Sequence, residues 1–475
     1  MKRNAPHASL NNLLNSVPAT GRSAHFIGIG GIGMSGLAQV LLARGWQVSG
    51  SDLADSAAVA HLRELGAHIS IGHDGSNLGE ADLVVYTDAV SPDNPELTLA
   101  RKKEIPLLRR SELLGRLTAD MRTIAVSGTH GKTTTTAMLA AILTHAGLSP
   151  TMFLGGEYPP LGGNFCAGRG EWAVVEACEA FSSFLDLTPT VAVITNLEAE
   201  HLDYHGSEEA LRRAFLDFLG RLKPGGTAVI CADDPNLTAL VREAKIENMV
   251  GYALEAEALF GATDMVFYPE GSEFTLLESG RPRARIRLRL PGRYNMLNAL
   301  AAIAAASVAG IQPGNCAVAL EEFPGVKRRF QVVASAKGIT IVDDYAHHPT
   351  EIEALMSAAR ENLSGRLLVI FQPHLYTRTQ TFMRDFARVL SAADLAWVTD
   401  IYPAREAPIP GVEAACIAET ARKDFDGNVE YLPFGEIAKK IMPQLREGDI
   451  VVTMGAGDVD RIARSLAGPL RDDAS

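Results

Sequence analysis

The sequence predicts an α/β protein of three domains, each built on a largely parallel sheet. A chain of 475 residues is too long for one hydrophobic core, and roughly 150 residues per domain gives about three domains. Short apolar runs with β character alternate with helical stretches, which is typical of parallel sheets covered by helices. Two glycine-rich loops each follow a strand and open a helix. We therefore predict a Rossmann-like N-terminal domain, a central domain of the P-loop type and a Rossmann-like C-terminal domain.

The domain boundaries are expected where this pattern breaks. Residues 1–22 are polar and form an N-terminal extension ahead of the first strand. The first domain then covers residues 23–121, the central domain 122–324 and the C-terminal domain 325–475. The segment GVKRRF at the start of the last domain is interpreted as a hinge.

Apolar runs locate the main elements. Strands are expected at His25–Ile29, Gln47–Asp52, Leu83–Tyr86, Thr123–Ser127, Trp172–Glu176, Val191–Thr195, Thr227–Ile230, Ile339–Asp343, Leu367–Phe371, Leu395–Thr399 and Asp449–Thr453. Alternating β signals over residues 263–290 predict a small antiparallel sheet. The longest apolar run, Leu297–Gly310, is too short to span a bilayer and is interpreted as a buried helix.

Composition narrows the class of protein. Apolar residues make up 47% of the chain, which is ample for packed cores and unlike a disordered chain. A net charge of −12 does not attract nucleic acid or anionic membranes, so we expect neither as a partner. The five cysteines are spread out without a CxxC pair, which argues against disulfides and zinc and suits the cytoplasm. The N-terminus has no apolar segment of the secretory type.

One loop has the composition of a phosphate-binding site. It lies between an expected strand and an expected helix and consists of Gly128, Thr129, His130, Gly131, Lys132, Thr133 and Thr134. The N–H groups of such a loop face a polyphosphate, Lys132 adds a positive charge, and the Thr133 hydroxyl can join the shell of Mg²⁺. Val126 stands where the usual loop has a further glycine, so the form is shortened. We interpret the loop as an ATP site; a tight threonine-rich turn is the plainer alternative.

A second glycine loop lies near the N-terminus. Gly28, Gly30, Gly31 and Gly33 follow a strand and open a helix, and Asp52 ends the next strand, where a ribose-binding acid belongs. Alone, this pattern suggests an NAD enzyme, another nucleotide diphosphate site, or mere helix–strand packing. Together with the phosphate loop, it favours a ligase that spends ATP on a substrate carrying its own nucleotide, because neither a dehydrogenase nor a kinase needs both loops.

Acidic residues at neighbouring strand ends suggest a metal site. Glu176 ends one expected strand, and His201 belongs to the segment TNLEAEHLD, which follows the next. The carboxyl ends of parallel strands share one edge of a sheet, where ligands bind. Thr133, Glu176 and His201 are therefore expected to share magnesium. Because Mg²⁺ prefers oxygen ligands, a purely structural role for His201 stays open.

Two strand ends of the C-terminal domain also carry polar clusters. DDYAHHPTE includes Tyr345 and His347, and QPHLYTRT includes Arg378. Arg378 is a candidate clamp for a carboxylate, and His347 is a candidate for orienting a small substrate. Adjacent histidines before a proline can instead cap a helix. No matching carboxylate–histidine pattern makes them a zinc site.

Taken together, these motifs resemble those of the Mur ligases over nearly the whole chain. The matching segments are HFIGIGGIGMSG (25–36), SGTHGKTTT (127–135), TNLEAEHLD (195–203), GRYNMLNA (292–299), DDYAHHPTE (343–351) and QPHLYTRT (372–379). The shortened phosphate loop is shared with folylpolyglutamate synthetases, which lack the domain with the first glycine loop. The resemblance implies one domain for a UDP-sugar, one for ATP and one that closes over the site.

The resemblance also implies an activity. Its nearest branch joins L-alanine to the lactyl carboxylate of UDP-N-acetylmuramate through an acyl phosphate, with ATP and Mg²⁺, in peptidoglycan precursor synthesis. The catalytic group would be Lys132, Glu176, His201 and His347. The branch that adds a preformed murein peptide is the nearest alternative, and a non-catalytic nucleotide sensor is an alternative from another class.

Further residue roles are implied by the same resemblance. Asn295 would hold the adenine, and Arg329 and Asp344 would reach ATP. Tyr345, His347 and Arg378 would position L-alanine, and Thr133, Glu176 and His201 would hold the metal.

The sequence departs from the family pattern in three places. EACEAF replaces the common EADESD at residues 176–181, so contacts around the metal-binding Glu176 must differ. Leu375 stands where some members have arginine, which leaves Arg378 as the main candidate for the amino-acid carboxylate. No lysine follows the histidine motif at residues 212–215, so no carbamylated lysine is expected.

Overall fold

The computed structural model describes residues 21–198, 207–268, 271–361, 365–404 and 406–472. The chain forms two compact units, and each is described by itself. The first comprises Met1–Gly261, Leu277–Pro282 and Asn298–Ala319, and the second comprises Ala262–Leu276, Arg283–Leu297 and Leu320–Ser475. Among the described residues, no helix combines the length and the apolar character needed to cross a membrane.

The first sheet is Rossmann-like, with five strands in the order β3-β2-β1-β4-β5, all parallel. Its strands are β1 (Ser23–Ile27), β2 (Gln47–Asp52), β3 (His68–Ile71), β4 (Leu83–Tyr86) and β5 (Leu107–Arg109), and its helices are α1 (Ile32–Ala43), α2 (Ala57–Glu64), α3 (Pro95–Lys102) and α4 (Arg110–Thr118). Helix α3 begins where the sequence dictates: Asn94 accepts from two first-turn N–H groups, and proline takes the first helical position.

The central sheet carries the phosphate loop after its central strand. Its described strands are β6 (Arg122–Ser127), β7 (Thr151–Tyr158), β8 (Gly163–Cys166), β9 (Trp172–Glu176), β10 (Val191–Ile194), β11 (Thr227–Cys231) and β12 (Asn248–Tyr252), and the helices around it are α5 (Lys132–His145), α6 (Glu208–Leu219) and α7 (Pro235–Ala244). The order is β12-β11-β10-β6-β9-β7-β8, with only β8 antiparallel to its neighbour. Strand β10 is wholly buried, as expected for a parallel strand with both faces covered.

For the segment after β12 the sequence predicts a small antiparallel sheet, whereas its strands belong to the central sheet. Its elements are β13 (Phe260–Tyr268), β14 (Gly271–Glu278), β15 (Arg281–Leu288), α8 (Arg293–Val308) and α9 (Pro313–Glu321). Strand β13 pairs with β12 in parallel at Phe260, so this segment continues the central sheet. The alternating pattern predicted strands correctly, but it does not say which strand they pair with. The Ala-rich helix α8 is buried as predicted, from Ala299 to Ala306.

The C-terminal sheet has six strands in the order β16-β17-β21-β18-β19-β20, with only β16 antiparallel. The elements are β16 (Gln331–Ala336), β17 (Ile339–Asp344), α10 (Pro349–Arg360), β18 (Leu367–Phe371), α11 (Tyr376–Leu390), β19 (Leu395–Val398), α12 (Ala415–Asp424), β20 (Val429–Tyr431), α13 (Phe434–Ile441), β21 (Ile450–Met454) and α14 (Asp460–Asp472). The predicted apolar runs agree with β17, β18, β19 and β21 to within one residue at each end. The fold class predicted from the sequence is thereby confirmed.

Candidate active site

The phosphate loop lies at the carboxyl end of β6 and is closed by two glycines. The angle φ is +126° at Gly128 and +79° at Gly131, a region that favours glycine. A Cβ on Gly128 would lie 2.1 Å from Thr195 Oγ1, and one on Gly131 would lie 2.3 Å from Asn298 Oδ1. Neither the space nor the backbone conformation permits a side chain at these two positions. Glycine at both positions therefore lets the loop fold tightly onto the N-terminus of α5.

The Lys132 ammonium points back into this loop. Its Nζ donates to the carbonyl oxygen of Gly128 at 2.6 Å and to that of Thr129 at 2.8 Å. It also forms an ion pair with Glu179, with 3.0 Å between Nζ and Oε1, and the Glu179 side chain is only 1% exposed. Three oxygen acceptors thus surround a compact cation that carries three donors.

The segment after β10 holds the loop from another side. Asn196 Oδ1 accepts from the backbone N–H of His130 at 2.8 Å, and Thr195 Oγ1 donates to the His130 carbonyl at 2.5 Å. The Thr129 hydroxyl accepts from the Glu198 N–H at 2.9 Å. Strands β9 and β10 pair with β6 on opposite edges, so strand ends flank the loop on both sides. This is where open α/β sheets bind their ligands.

On the β9 side, a carboxylate lies beside the hydroxyl predicted to share a metal with it. Thr133 Oγ1 donates to Glu176 Oε1 at 3.1 Å, and Glu176 Oε2 accepts from the Gly155 N–H at 2.8 Å. A hydroxyl and a carboxylate this close are hard oxygen donors of the kind that Mg²⁺ prefers, so the residues present fit that metal. Within the described ranges, no group of three or more His, Cys, Asp or Glu converges on a metal position. The third predicted partner, His201, lies outside the described residues.

The segment EACEAF contributes a thiol between the two glutamates. Burial raises the pKa of Cys178 to about 12, and the negative charge of Glu179 acts in the same direction. The thiol is therefore protonated at neutral pH, and only thiolates are good metal ligands. Cys178 occupies the place of a family aspartate without supplying its charge.

The first glycine loop is held by β2. The N–H groups of Gly28 and Ile29 both donate to the carbonyl of Ser51, at 2.8 Å and 3.0 Å. The Gly30 N–H donates to Asp52 Oδ2 at 2.8 Å. The carboxylate predicted to bind a ribose therefore also orders the loop.

A cation that the sequence analysis did not single out lies against the helix end of this loop. A Cβ on Gly33 would lie 2.9 Å from Arg110 Cδ and 3.0 Å from its Nη1. In the part of the chain that the structure describes, the Arg110 guanidinium has no hydrogen bond or ion pair. Gly31 is the N-cap of α1 and offers no side-chain hydrogen bond to the helix. The helix N-terminus and the guanidinium both favour an anion here.

A buried polar network supports this loop. Glu96 accepts from Ser51 Oγ at 2.6 Å and from Asn77 Nδ2 at 2.9 Å, and it pairs with His25 Nε2 at 3.2 Å. Burial alone would raise the pKa of Glu96, but the hydrogen bonds from His25, Ser51 and Asn77 outweigh burial and lower that pKa to about 2. The ionised carboxylate thereby fixes Ser51, whose carbonyl holds the glycine loop.

In the second unit, residues after β17 form a polar cluster. Asp344 accepts from the N–H groups of Phe330 at 2.6 Å and Ala346 at 2.7 Å. Burial raises the pKa of Asp344 to about 6, although the positive charge of Arg329 opposes this rise. The Arg329 guanidinium lies 5.2 Å from the centroid of the Tyr345 ring. The structure thus brings together two residues predicted to reach ATP, Arg329 and Asp344, and one predicted to position L-alanine, Tyr345.

His347 extends this cluster. Its Nδ1 lies 2.9 Å from the Tyr345 carbonyl oxygen and 3.5 Å from Glu351 Oε2. Burial lowers the pKa of His347 to about 3 against the opposing charge of Glu351, so the imidazole is neutral at pH 7. Within the described ranges, the Arg378 guanidinium makes no hydrogen bond or ion pair, which leaves it for an anion. His348 occupies the N-cap position of α10, and its backbone N–H donates to Glu351 Oε2 at 3.3 Å.

Two asparagines of α8 have different environments. Asn295 is 2% exposed, and its Nδ2 donates to the Pro291 carbonyl at 2.8 Å. Asn298 Oδ1 accepts from Thr135 Oγ1 at 3.2 Å. Asn295 is the residue predicted to hold adenine, whereas Asn298 is the one that packs against the phosphate loop.

Sequence reasoning missed four residues of these sites. Glu179 and Asn298 each lie three positions after a predicted site residue, Glu176 and Asn295, and that spacing was an available signal. Arg110 and Gly155 gave no signal, because each is brought to its loop by a separate sheet element. Their positions follow from packing across the fold.

The fold, the first glycine loop and the phosphate loop are together typical of an ATP-dependent ligase. The chain belongs to the Mur ligase family. Residues 23–122 match the family description "Mur ligase family, catalytic domain", residues 126–306 match "Mur ligase middle domain", and residues 328–457 match "Mur ligase, glutamate ligase domain". The resemblance stated from the motifs is confirmed.

Individual relatives cover almost the whole chain. The UDP-N-acetylmuramate–L-alanine ligase of Anaeromyxobacter sp. (strain Fw109-5) is 42% identical over 97% of this chain and 99% of its own length. The structure of UDP-N-acetylmuramate-alanine ligase from Thermotoga maritima matches with a TM-score of 0.81 and 31% identity, over 95% of this chain and 99% of that one. A murein peptide ligase from Psychrobacter arcticus 273-4 matches less closely, with a TM-score of 0.70 and 25% identity, over 94% and 99%.

Proposed function

We propose that this protein joins L-alanine to the lactyl carboxylate of UDP-N-acetylmuramate, with ATP converted to ADP and phosphate, in peptidoglycan precursor synthesis. The proposal rests on two nucleotide-type loops within one compact unit, of which only one carries a Lys-Thr pair. A ligase whose acceptor carries its own nucleotide needs this combination. The relatives that match nearly the whole chain are named for the same activity.

The phosphate loop is proposed to bind the phosphates of ATP. The lactyl carboxylate attacks the γ-phosphorus as the bond to the bridging oxygen breaks, which gives an acyl phosphate and ADP. The alanine amine then attacks the acyl carbon, a proton is lost from nitrogen, and phosphate leaves as the amide forms. Lys132 stabilises charge on the transferring phosphoryl group. The other proposed ATP-binding residues of the loop are Gly128, Thr129, His130, Gly131, Thr133 and Thr134.

Thr133 and Glu176 are proposed to hold Mg²⁺, together with His201. The support is the 3.1 Å contact between the Thr133 hydroxyl and the Glu176 carboxylate, next to Lys132. When bound there, Mg²⁺ would neutralise charge on the phosphate oxygens. The Gly155 N–H orients the Glu176 carboxylate for this role.

The first glycine loop is proposed to bind the UDP part of the acceptor. Gly28, Gly30, Gly31 and Gly33 would present the diphosphate with backbone N–H groups and the N-terminus of α1. Asp52 would bind a ribose hydroxyl, and its Oδ2 already holds the Gly30 N–H. Arg110, which lies against Gly33, is proposed as the cation for the diphosphate.

The remaining ligand contacts are proposed for individual residues, as the family resemblance implies. Arg329 and Asp344 would bind ATP, and so would Asn295, through its adenine. Tyr345, His347 and Arg378 would position L-alanine, with Arg378 bound to its carboxylate. Burial keeps the His347 imidazole neutral with a pKa of about 3, which makes it a poor base but leaves a ring nitrogen to accept a hydrogen bond from the alanine amine and orient it.

The domain boundaries and the cellular location belong to the same proposal. The domain boundaries are placed at residues 23–121, 122–324 and 325–475. A cytoplasmic location is proposed because all five cysteines are free thiols, as suits a reducing compartment.

The test is phosphate release from ATP with UDP-N-acetylmuramate, run against a panel of amino acids and the murein tripeptide. We expect release with L-alanine and little with the tripeptide. Dependence on the UDP-sugar should be absolute, since its carboxylate is the group that becomes phosphorylated. Nicotinamide cofactors should neither bind nor change the rate.

Other results would replace the proposal with a named alternative. Preferential use of the tripeptide would assign the chain to the peptide-adding branch of the family. Binding of both nucleotides without phosphate release for any acceptor would favour a nucleotide sensor.

A further inference from the structure

A hairpin of the central sheet, formed by β7 and β8, contacts the helix that opens at the first glycine loop. Asn164 Nδ2 donates to the carbonyl oxygen of Ile32 at 2.6 Å, and Ile32 is the first residue of α1. Beside it, a Cβ on Gly36 would lie 2.9 Å from the Phe165 Cβ. The contact is close, and both of its sides lie in the first compact unit.

The same hairpin contacts the carboxylate of Glu176, which lies beside the phosphate loop. The Gly155 N–H donates to Glu176 Oε2 at 2.8 Å, and Glu176 Oε1 accepts from the Thr133 hydroxyl at 3.1 Å. A Cβ on Gly155 would lie 2.1 Å from Glu176 Oε1, so the close approach of backbone to carboxylate requires glycine. The hairpin therefore contacts one predicted metal ligand directly and the other through it.

One peptide group joins the two contacts. Asn164 Nδ2 also donates to the carbonyl oxygen of Leu154 at 3.2 Å. That carbonyl and the Gly155 N–H belong to the same planar peptide, so its two ends are bound to Asn164 and to Glu176. Rotation of this peptide would break both hydrogen bonds at once.

Regular strand pairing does not include the peptide between Leu154 and Gly155. The register between β7 and β8 shifts between Phe153 and Tyr158, and the pairing of β7 with β9 ends at Phe153. The peptide between Leu154 and Gly155 lies within the irregular stretch. Its orientation is therefore set by Asn164 and Glu176 and not by regular sheet pairing.

We propose that Asn164 is a positioning residue that couples the two nucleotide loops. A ligand that orders the Ile32 carbonyl at the first glycine loop fixes the Asn164 amide, which fixes the 154–155 peptide and hence the Glu176 carboxylate. Binding at either loop then strengthens binding at the other by the same factor, as thermodynamic linkage requires. This inference rests on the proposed function, because it takes the two loops as sites for a UDP-sugar and for ATP.

The test measures the affinity of the full chain for a non-hydrolysable ATP analogue with Mg²⁺, by calorimetry. Each titration is run without and with saturating UDP-N-acetylmuramate, and L-alanine is left out. We expect the UDP-sugar to tighten analogue binding by about fivefold or more in the unaltered protein, at the lower end of typical coupling. In Asn164→Ala, the coupling should fall below about twofold, while each ligand alone binds about as well as before.

Two further variants separate coupling from folding. Asn164→Asp keeps the shape of the side chain but faces two carbonyl oxygens with a carboxylate, so it should lose coupling as Asn164→Ala does. Asn248→Ala is the matched control, because Asn248 also donates its Nδ2 to a carbonyl, that of Gly225 at 3.2 Å, on an exposed surface. The control should keep full coupling.

Full coupling in a folded Asn164→Ala or Asn164→Asp variant would overturn the inference. So would equal analogue affinity with and without the UDP-sugar in the unaltered protein. If the unaltered protein binds neither ligand, the proposed function itself fails, and that outcome is distinct from loss of coupling alone.

Discussion

The two glycine-rich loops of the first unit have the same backbone arrangement and differ in the side chains that they carry. Each follows a parallel strand, turns at a glycine with positive φ and opens a helix, α1 in one case and α5 in the other. Both therefore offer backbone N–H groups and a helix N-terminus to an anion. The first loop, Gly28–Gly33, adds no side chain of its own beyond Ile29 and Ile32.

The phosphate loop adds charge and hydroxyl groups to the same plan. Lys132 is held by two carbonyl oxygens of the loop and by the buried carboxylate of Glu179. Thr133 is held by Glu176. Next to the first loop, in contrast, Asp52 accepts from the backbone, and Arg110 lies against the helix end.

The difference separates binding from chemistry. Backbone N–H groups bind a diphosphate equally well before and during the reaction, which lowers KM without raising kcat. A cation and a metal next to the transferring phosphoryl group stabilise charge that develops in the transition state. Changes at the phosphate loop should therefore lower kcat, and changes at the first loop should raise KM for the UDP-sugar.

The largest effect is expected for Lys132→Ala. It removes the cation proposed to lie next to the γ-phosphate, and we expect kcat to fall by about a thousandfold, which corresponds to about 4 kcal/mol. The KM for UDP-N-acetylmuramate should stay within about threefold of its original value, since the first loop is untouched. Steady-state phosphate release measures both quantities.

The matched control for this change is Lys223→Ala. Lys223 also donates its Nζ to two carbonyl oxygens, those of Ala119 and Met121, both at 2.7 Å. It should retain nearly full activity. The double variant Lys132→Ala/Glu179→Gln removes the buried carboxylate along with its partner. It should be as inactive as Lys132→Ala but more thermally stable than that single variant. A thousandfold rise in the KM for UDP-N-acetylmuramate with unchanged kcat would contradict the division between the loops.

A smaller effect is expected for Glu176→Gln. The amide keeps the shape but loses the negative charge proposed to hold Mg²⁺, so the Mg²⁺ concentration for half-maximal rate should rise about tenfold to a hundredfold. Saturating Mg²⁺ should restore much of the rate. The control is Glu171→Gln, at the residue that precedes β9, where the side chain is 65% exposed and paired with Arg122. This variant should leave the Mg²⁺ requirement unchanged. An unchanged requirement in Glu176→Gln would remove this residue from the metal site.

The phosphate loop was predictable from the sequence because its functional groups are contiguous. The stretch between a strand and a helix contains Gly128, Gly131, Lys132 and Thr133, so local backbone geometry alone brings these groups together. Buried parallel strands were predictable for a similar reason, since β18 is an unbroken apolar run.

The surroundings of the loops were not predictable in this way. Glu179 becomes the partner of Lys132 only because β9 pairs beside β6. Gly155 reaches Glu176 through an irregular strand, and its role depends on a distance of a few ångströms that no sequence pattern encodes. The pairing of β13 with β12 was also missed, because alternation predicts a strand but not its neighbour.

The smallest effect is expected for Arg110→Ala. The guanidinium lies against Gly33 without a protein partner among the described residues, so its removal should cost the proposed contact to the diphosphate and leaves no buried carboxylate behind. We expect KM for UDP-N-acetylmuramate to rise about fivefold, which corresponds to about 1 kcal/mol, the net worth of a typical hydrogen bond, with kcat unchanged. The rise should shrink as salt is added, since salt screens the attraction in the unaltered protein. Arg101→Ala, in helix α3 and with its guanidinium bound to the Pro92 carbonyl at 2.8 Å, should show neither effect. If Arg110→Ala lowered kcat and left KM alone, the first loop would take part in chemistry, and the division between a binding loop and a reacting loop would have to be abandoned.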